Sequence, residues 1–251
     1  MTLLVRDVSF SYGKLAVLDA VSFEAKAGEV TAVLGANATG KSTLLKCVSG
    51  RLRAHGRIAL NGTEIARMSA HDRAHAIGAM VQDAGEAARL TVLETVLLGR
   101  LHALTLKVDP AEIERARAVL SRLRIEHLAS RFLNELSGGQ RRLVMLAQAL
   151  AGDPKLLLLD EPTANLDLPN ELEALRIVRE MTAEKKLITL VTLHDLNMAS
   201  RFADAVVLMR SGRVIRFGTP AEALAPEAIE AAYDVKTRLI PDGERFVIVP
   251  E

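Results

Sequence analysis

An α/β fold is what this sequence predicts, and three observations carry that expectation. The first is alternation. Apolar strand-like runs at Leu156 to Asp160, Leu187 to Thr192 and Ala205 to Met209 are separated by helical patterns at Pro169 to Ala183 and Leu196 to Ala203. Strands that alternate with helices imply a parallel sheet with crossovers. The second is the character of residues 3–10, 17–25 and 57–60, which read as strands. They are broken by the turn-like Ser11-Tyr12-Gly13-Lys14, Ala27-Gly28-Glu29 and Asn61-Gly62, so residues 3–25 and 57–65 are expected to form a mostly antiparallel layer. The third is helical periodicity from about residue 83 to 152, notably in Thr91 to Leu101 and Pro110 to Leu123. There Asp109-Pro110 supplies an N-cap followed by proline at the first helical position.

The remaining elements follow in order. Val30 to Leu34 is a strand, Leu44 to Ser49 an amphipathic helix stopped by Gly50, and Ser69 to Ala76 a short helix. Ile77 to Val81 is a strand that ends at Gln82. After residue 209 come a hairpin strand at 212–218, a short helix at Pro220 to Leu224, a second helix, and a strand-like Arg245 to Val249. One domain over residues 1–251 is expected, with a helical subdomain at about 83–152 and a C-terminal extension at about 221–251.

Between the strand at Val30–Leu34 and its following helix lies Gly35-Ala36-Asn37-Ala38-Thr39-Gly40-Lys41-Ser42-Thr43, a match to G-x-x-x-x-G-K-[ST] in the strand–loop–helix setting that such a loop requires. Helix N-termini leave amides without partners and carry partial positive charge, so amides from about Thr39 to Thr43 can wrap a polyphosphate. Gly40 permits close approach, Lys41 reaches the outer phosphates, and the Ser42 hydroxyl can ligate Mg²⁺. Ala38 stands where many such loops carry glycine, at a cost if that residue needs positive φ. The fold class is therefore α/β, a P-loop nucleoside-triphosphatase core with an antiparallel β subdomain and an inserted helical subdomain.

Composition narrows the function. Hydrophobic residues make up 49 %, aromatic residues 3 %, and Trp is absent. So few rings argue against base-stacking on single-stranded nucleic acid. The net charge of +1 shows no basic excess for phosphate backbones. The clusters Arg51/Arg53/Arg57, Arg141/Arg142 and Lys185/Lys186 read as solvated faces. The single Cys47 excludes an internal disulfide, fits a reducing compartment, and reads as a small buried residue. No apolar run reaches the roughly 18–20 residues of a membrane span. The chain opens on strand-like residues without a secretory leader. A cytoplasmic protein is expected, with any membrane role exercised through a partner.

Two further motifs carry chemistry. The apolar run Leu156-Leu157-Leu158-Leu159 places Asp160-Glu161-Pro162 at the carboxyl end of a central strand, where open α/β sheets bind ligands. Asp160 is placed to hold the Mg²⁺ shell. Glu161, one residue on, suits proton abstraction from an attacking water. Leu136-Ser137-Gly138-Gly139-Gln140 opens a helix for which Ser137 is a good N-cap, and its glycine amides offer a second anion-binding surface. His71 and His75 have the i, i+4 spacing of metal ligands but no third partner, and read as a solvated helix face.

A P-loop, then Leu136 to Gln140, then Asp160-Glu161-Pro162, in that order over roughly residues 3–220, resembles the ATP-binding cassette (ABC) ATPases. The resemblance implies ATP and Mg²⁺ as cofactors and a set of further roles. Tyr12 matches the aromatic that stacks on adenine. Gln82 touches Mg²⁺ and senses the helical subdomain, Asp167 lies in the Asn165-Leu166-Asp167 turn, and His194 contacts the γ-phosphate. The family works as a head-to-tail dimer, so Ser137, Gly138, Gly139, Gln140 and Asp167 would meet the ATP held by the partner's P-loop.

Three functional classes compete: a transporter's energising subunit, a nucleic-acid-linked cassette ATPase, and an unrelated P-loop kinase or GTPase. The second usually carries two cassettes, coiled coils, zinc modules or basic extensions, and none is present. Against the third, no Asn-Lys-x-Asp guanine reader is found. The first is favoured. Within it, His194 to Asp204, Gly212-Arg213-Val214, Gly218-Thr219-Pro220 and Thr91 to Arg100 are similar to ATPases of bacterial iron–siderophore, haem and cobalamin importers. That similarity implies a homodimer of ATPase subunits, transmembrane permease subunits, indirectly a substrate-binding protein, and no nucleic acid. The expected location is the cytoplasmic face of a bacterial inner membrane, peripheral through the permease. Gln82 to about Leu101 is expected to form the groove that receives a permease helix.

Overall fold

The computed structural model describes residues 1–80, 89–100, 108–243 and 245–251. Two sheets and a set of helices enclose two clusters of buried apolar side chains. The first sheet is built from β1 (Thr2–Tyr12), β2 (Leu15–Lys26), β4 (His55–Leu60) and β5 (Thr63–Glu64), ordered β2-β1-β4-β5, and every pair in it is antiparallel. The second contains β3 (Val30–Leu34), β6 (Ile77–Met80), β7 (Leu156–Asp160), β8 (Ile188–Thr192), β9 (Ala205–Arg210) and β10 (Arg213–Gly218), ordered β10-β9-β3-β8-β7-β6. Its pairs are parallel except for the edge hairpin of β9 and β10.

Burial explains why β3, β7 and β8 read as unbroken apolar runs. All their residues are buried, because both faces of the sheet are covered. Side chains alternate between the two sides. Val33, Leu156 and Leu158 face helix α1 (Lys41–Val48) and the antiparallel sheet. Ala32, Leu34, Leu157 and Leu159 face the other helices: α5 (Gly138–Ala151), α6 (Leu168–Lys185) and α7 (Leu196–Phe202). Helices α3 (Val92–Leu98) and α4 (Pro110–Arg122) come between β6 and β7 in the chain and bury Val92, Val96, Ala116 and Leu120 in that same core. Cys47 is buried as expected, and burial pushes its thiol up to about 11.

The caps follow the sequence. Asp109 accepts from the Ala111 amide with proline inside the first turn of α4, and Thr91 and Glu94 form a capping box on α3. Helix α1 opens at Lys41, three residues earlier than its apolar pattern suggests, because the P-loop's own amides form its first turn. His71 and His75 lie exposed on α2 (Ala70–Ala76), their rings 4.6 Å apart, and no metal-holding cluster exists among the described residues.

The strand expected at Arg245–Val249 is present, and the tail holds one strand more than expected. The expected strand is β12 (Arg245–Pro250), paired with β11 (Thr237–Asp242), a strand whose Pro241 and charged residues conceal it. That hairpin is tied to α7: Asn197 bonds the backbone of Ile248 twice, and the Ser200 hydroxyl donates to the Phe246 carbonyl at 2.9 Å. Of the basic clusters, Arg51, Arg53, Arg57, Arg141, Lys185 and Lys186 are exposed as expected, and Arg142 is half-buried. Arg57 pairs with Glu64, Lys185 with Asp153, and Lys186 caps α6 in a left-handed conformation. Arg142 is turned inward, as described below. No helix among the described residues is long and apolar enough to cross a membrane.

Candidate functional site

Sheet order creates the site. Strand β8 lies between β3 and β7, so the P-loop and the Asp160-Glu161 pair leave the sheet at the same edge. Thr192 is the residue that joins them, for it pairs with Val33 on one side and Asp160 on the other. Only the parallel register at the carboxyl ends of these strands brings chemistry from residues 35–43, 160–161 and 192–194 to one place.

The P-loop is shaped by two glycines. Gly35 has φ +149°, and a Cβ there would lie 2.4 Å from the Met209 carbonyl oxygen. Gly40 caps α1 at φ +97°, and a Cβ would stand 2.8 Å from the Val17 carbonyl oxygen. Ala38 does adopt a left-handed φ of +61°, so the expected strain is present, on the order of 1–2 kcal/mol. The Lys41 ammonium is buried and donates to the carbonyls of Gly35 at 2.7 Å and Ala36 at 3.1 Å. Burial holds its pKa below the usual lysine value, against the pull of the Glu161 and Asp160 carboxylates. Asn37, Ala38, Thr39, Gly40, Lys41, Ser42 and Thr43 line an open cavity of about 370 Å³, to which Tyr12 and Glu161 also contribute.

A single hydrogen-bond chain runs through the acidic end. Ser42 Oγ and Thr192 Oγ1 both donate to Asp160 Oδ1, at 3.1 and 2.7 Å. The Glu161 amide donates to Thr192 Oγ1 at 2.8 Å, and Glu161 Oε1 lies 2.7 Å from His194 Nε2. Asp160 Oδ2 is buried with no hydrogen-bond partner among the described residues. A buried carboxylate oxygen left unpaired beside a hydroxyl is costly unless something positive meets it. Those two oxygen donors fit a hard divalent cation of the Mg²⁺ type. Gln82, the third residue expected at the metal, lies outside the described residues.

Glu161 has φ +51°, a conformation that costs a non-glycine residue on the order of 1–3 kcal/mol and persists only when its surroundings over-determine it. Here they do. Thr192 holds its amide, His194 its carboxylate, and Arg142 its carbonyl: Nε donates at 2.8 Å and Nη2 reaches the same oxygen. Thr192 and Arg142 were missed in the sequence as site residues. Thr192 left a faint signal, a hydroxyl ending an otherwise buried strand; Arg142 left none.

Ser137, Gly138, Gly139, Gln140 and Asp167 are not among the residues that line the P-loop cavity. The Ser137 side chain accepts from the Gln140 amide in a capping box, and Asp167 accepts from the Asn170 amide at the start of α6. Within one chain these residues cap helices. The amides of Gly138 and Gly139 sit in the first turn of α5, where no intrahelical acceptor is in reach.

Thr192→Val tests the hub of this chain. It strands the Glu161 amide and one Asp160 contact in a buried place, so unfolding free energy should drop by about 2–4 kcal/mol. Denaturant titration reads this directly, and a loss below about 0.5 kcal/mol would show that neither bond matters to stability.

A phosphate-wrapping loop, a buried metal-ready carboxylate and an adjacent carboxylate held by histidine define a P-loop nucleoside triphosphatase. The family model described as ABC transporter matches residues 18–164, and the chain belongs to that family as its ATP-hydrolysing cassette. Over 98 % of its length it is 38 % identical to the hemin import ATP-binding protein of Chelativorans sp., covering 97 % of that protein. Its fold overlays a solved transporter assigned to the metal-chelate ABC type, caught inward-facing, with a TM-score of 0.84 and 30 % identity, covering 100 % of this chain and 97 % of that one. It also resembles a dimeric, post-hydrolysis ATP-binding cassette bound to ADP and Pi, at a TM-score of 0.78 and 26 % identity, covering 88 % of this chain and 99 % of that one. Cassettes of this family bind adenine nucleotides and dimerise.

Proposed function

We propose that this chain is the ATPase subunit that powers a membrane importer of an iron chelate, haem or an iron–siderophore. One observation carries the catalytic reading: Ser42, Asp160, Thr192 and Glu161 are hydrogen-bonded in series beside the P-loop cavity, and His194 Nε2 lies 2.7 Å from Glu161 Oε1. The cargo reading is supported by the hemin-import relative and the metal-chelate transporter.

In this reading the amides of residues 39–43 and the Lys41 ammonium bind the β- and γ-phosphates, and the Tyr12 ring supports adenine. Ser42 and Asp160 would hold Mg²⁺, with Gln82 as the further contact that the family resemblance implies. Bound there, the ion neutralises phosphate charge. Glu161 accepts the proton of the attacking water at its carboxylate, and His194 orients that carboxylate and meets the γ-phosphate. The second copy closes each site with its Ser137 to Gln140 turn and Asp167, a twofold arrangement in which one chain contributes two different surfaces. The ATPase pair works on the cytoplasmic face of the membrane, attached through permease subunits that a substrate-binding protein feeds.

Reconstitution with its co-purifying membrane subunits tests both parts. Haem or a ferric siderophore should enter vesicles only with ATP turnover. Hydrolysis coupled to some other solute would overturn the cargo; absence of hydrolysis by the assembled complex would overturn the catalytic reading.

A further inference from the structure

Helix α5 touches the catalytic turn at two places. At its first turn, Gly139 packs so closely that a Cβ would lie 3.1 Å from Leu166 Cδ2 and 3.2 Å from the Asn165 carbonyl oxygen. About one turn further on, Arg142 reaches across to the end of β7. Its Nε donates to the Glu161 carbonyl at 2.8 Å, and its Nη2 donates to that oxygen and to the Asp160 carbonyl at 3.3 Å. Glu161 is thereby clamped on three sides, but the clamps differ in origin. Thr192 closes β8 and His194 follows two residues beyond it, so both come from the carboxyl end of that strand. Only Arg142 comes from the helix that opens with Ser137-Gly138-Gly139-Gln140.

We propose that Arg142 is a positioning residue that couples the general base of one nucleotide site to the α5 turn engaging the nucleotide of the other. The inference rests on the dimeric ATPase reading above. The Ser137–Gln140 capping box makes the start of α5 rigid, and Arg142 follows within roughly one further turn. A displacement of α5 against the sheet therefore carries the root of the Arg142 side chain with it. The guanidinium acts on the peptide unit that follows Glu161, in a residue already held at a strained φ. Rotation of that peptide changes where the carboxylate points. The planar fork matters, because two donors of one rigid group grip adjacent carbonyls; a lysine would offer a single mobile point.

Steady-state hydrolysis by the full-length chain, at saturating Mg²⁺ and varied ATP, tests the idea. Arg142→Ala should lower kcat by at least about tenfold while KM for ATP stays within about twofold, since the residue touches the base and not the phosphates. Arg142→Lys should recover part of the rate, and the melting temperature of both should stay within about 3 °C of wild type. Combining Arg142→Ala with Ser137→Ala should cost no more in kcat than the worse single change, the mark of residues acting along one route. Unchanged kcat in Arg142→Ala overturns the proposal, as do losses that multiply in the double variant. So does a kcat loss that comes with matching falls in affinity and melting temperature and no rescue by lysine. A wild-type chain without hydrolysis would instead overturn the ATPase reading, leaving the two failures distinguishable.

Discussion

Glu161→Gln should bind ATP as tightly as the wild-type chain and hydrolyse it about 10²–10⁴-fold more slowly, the usual contribution of a positioned general base. The substitution keeps shape and hydrogen-bonding reach, so the contact from His194 Nε2, 2.7 Å away in the wild type, can persist to the amide oxygen. The backbone restraints from Thr192 and Arg142 do not involve the side chain at all. What disappears is the capacity to take a proton at pH 7. With the γ-phosphate uncleaved, the proposed ATP-bridged pair should persist, and a nucleotide-loaded dimer should accumulate in size-exclusion chromatography. Turnover within twofold of wild type would remove Glu161 from the role of base.

Lys41→Ala should act on the other half of the reaction. Loss of one charge-assisted phosphate contact costs about 1.5–3 kcal/mol, which is roughly 10- to 150-fold in Kd for ATP. The ammonium is a good reporter because it is buried and already paired to loop carbonyls, at 2.7 Å to Gly35 and 3.1 Å to Ala36. Part of the effect therefore arrives through a loosened loop. Calorimetric titration of ATP separates binding from chemistry. Affinity equal to wild type would remove the lysine from the phosphate site.

The two variants predict opposite behaviour of the dimer. Glu161→Gln should favour it and Lys41→Ala should weaken it, because the proposed bridging ATP is kept uncleaved in one and is held less tightly in the other. Size-exclusion chromatography of both at the same ATP concentration is therefore an internal control on the shared mechanism.

Much of this was legible in the linear sequence, for physical reasons that differ by residue. The P-loop is readable because a left-handed corner, a close backbone approach and a cation impose residue types locally, at Gly35, Gly40 and Lys41. Asp160 and Glu161 are readable because four consecutive buried leucines announce a central strand before them. Strand β11 was not, since its residues are largely exposed and its pairing is supplied only by β12. Arg142 was not, since an arginine on a helix looks the same whether it meets water or two carbonyls. Its value depends on a helix and a strand end separated by 19 residues along the chain.

The P-loop and the Asp160-Glu161 pair, each dictated by bonding within a few neighbouring residues, made the family readable in the chain alone. The folded arrangement set how these parts are held, through Thr192 between two strands and Arg142 between a helix and Glu161. The division has a physical origin. Local conformation constrains the residue types of its own segment, whereas a hydrogen bond across the fold constrains only a distance and a direction, which many side chains can meet.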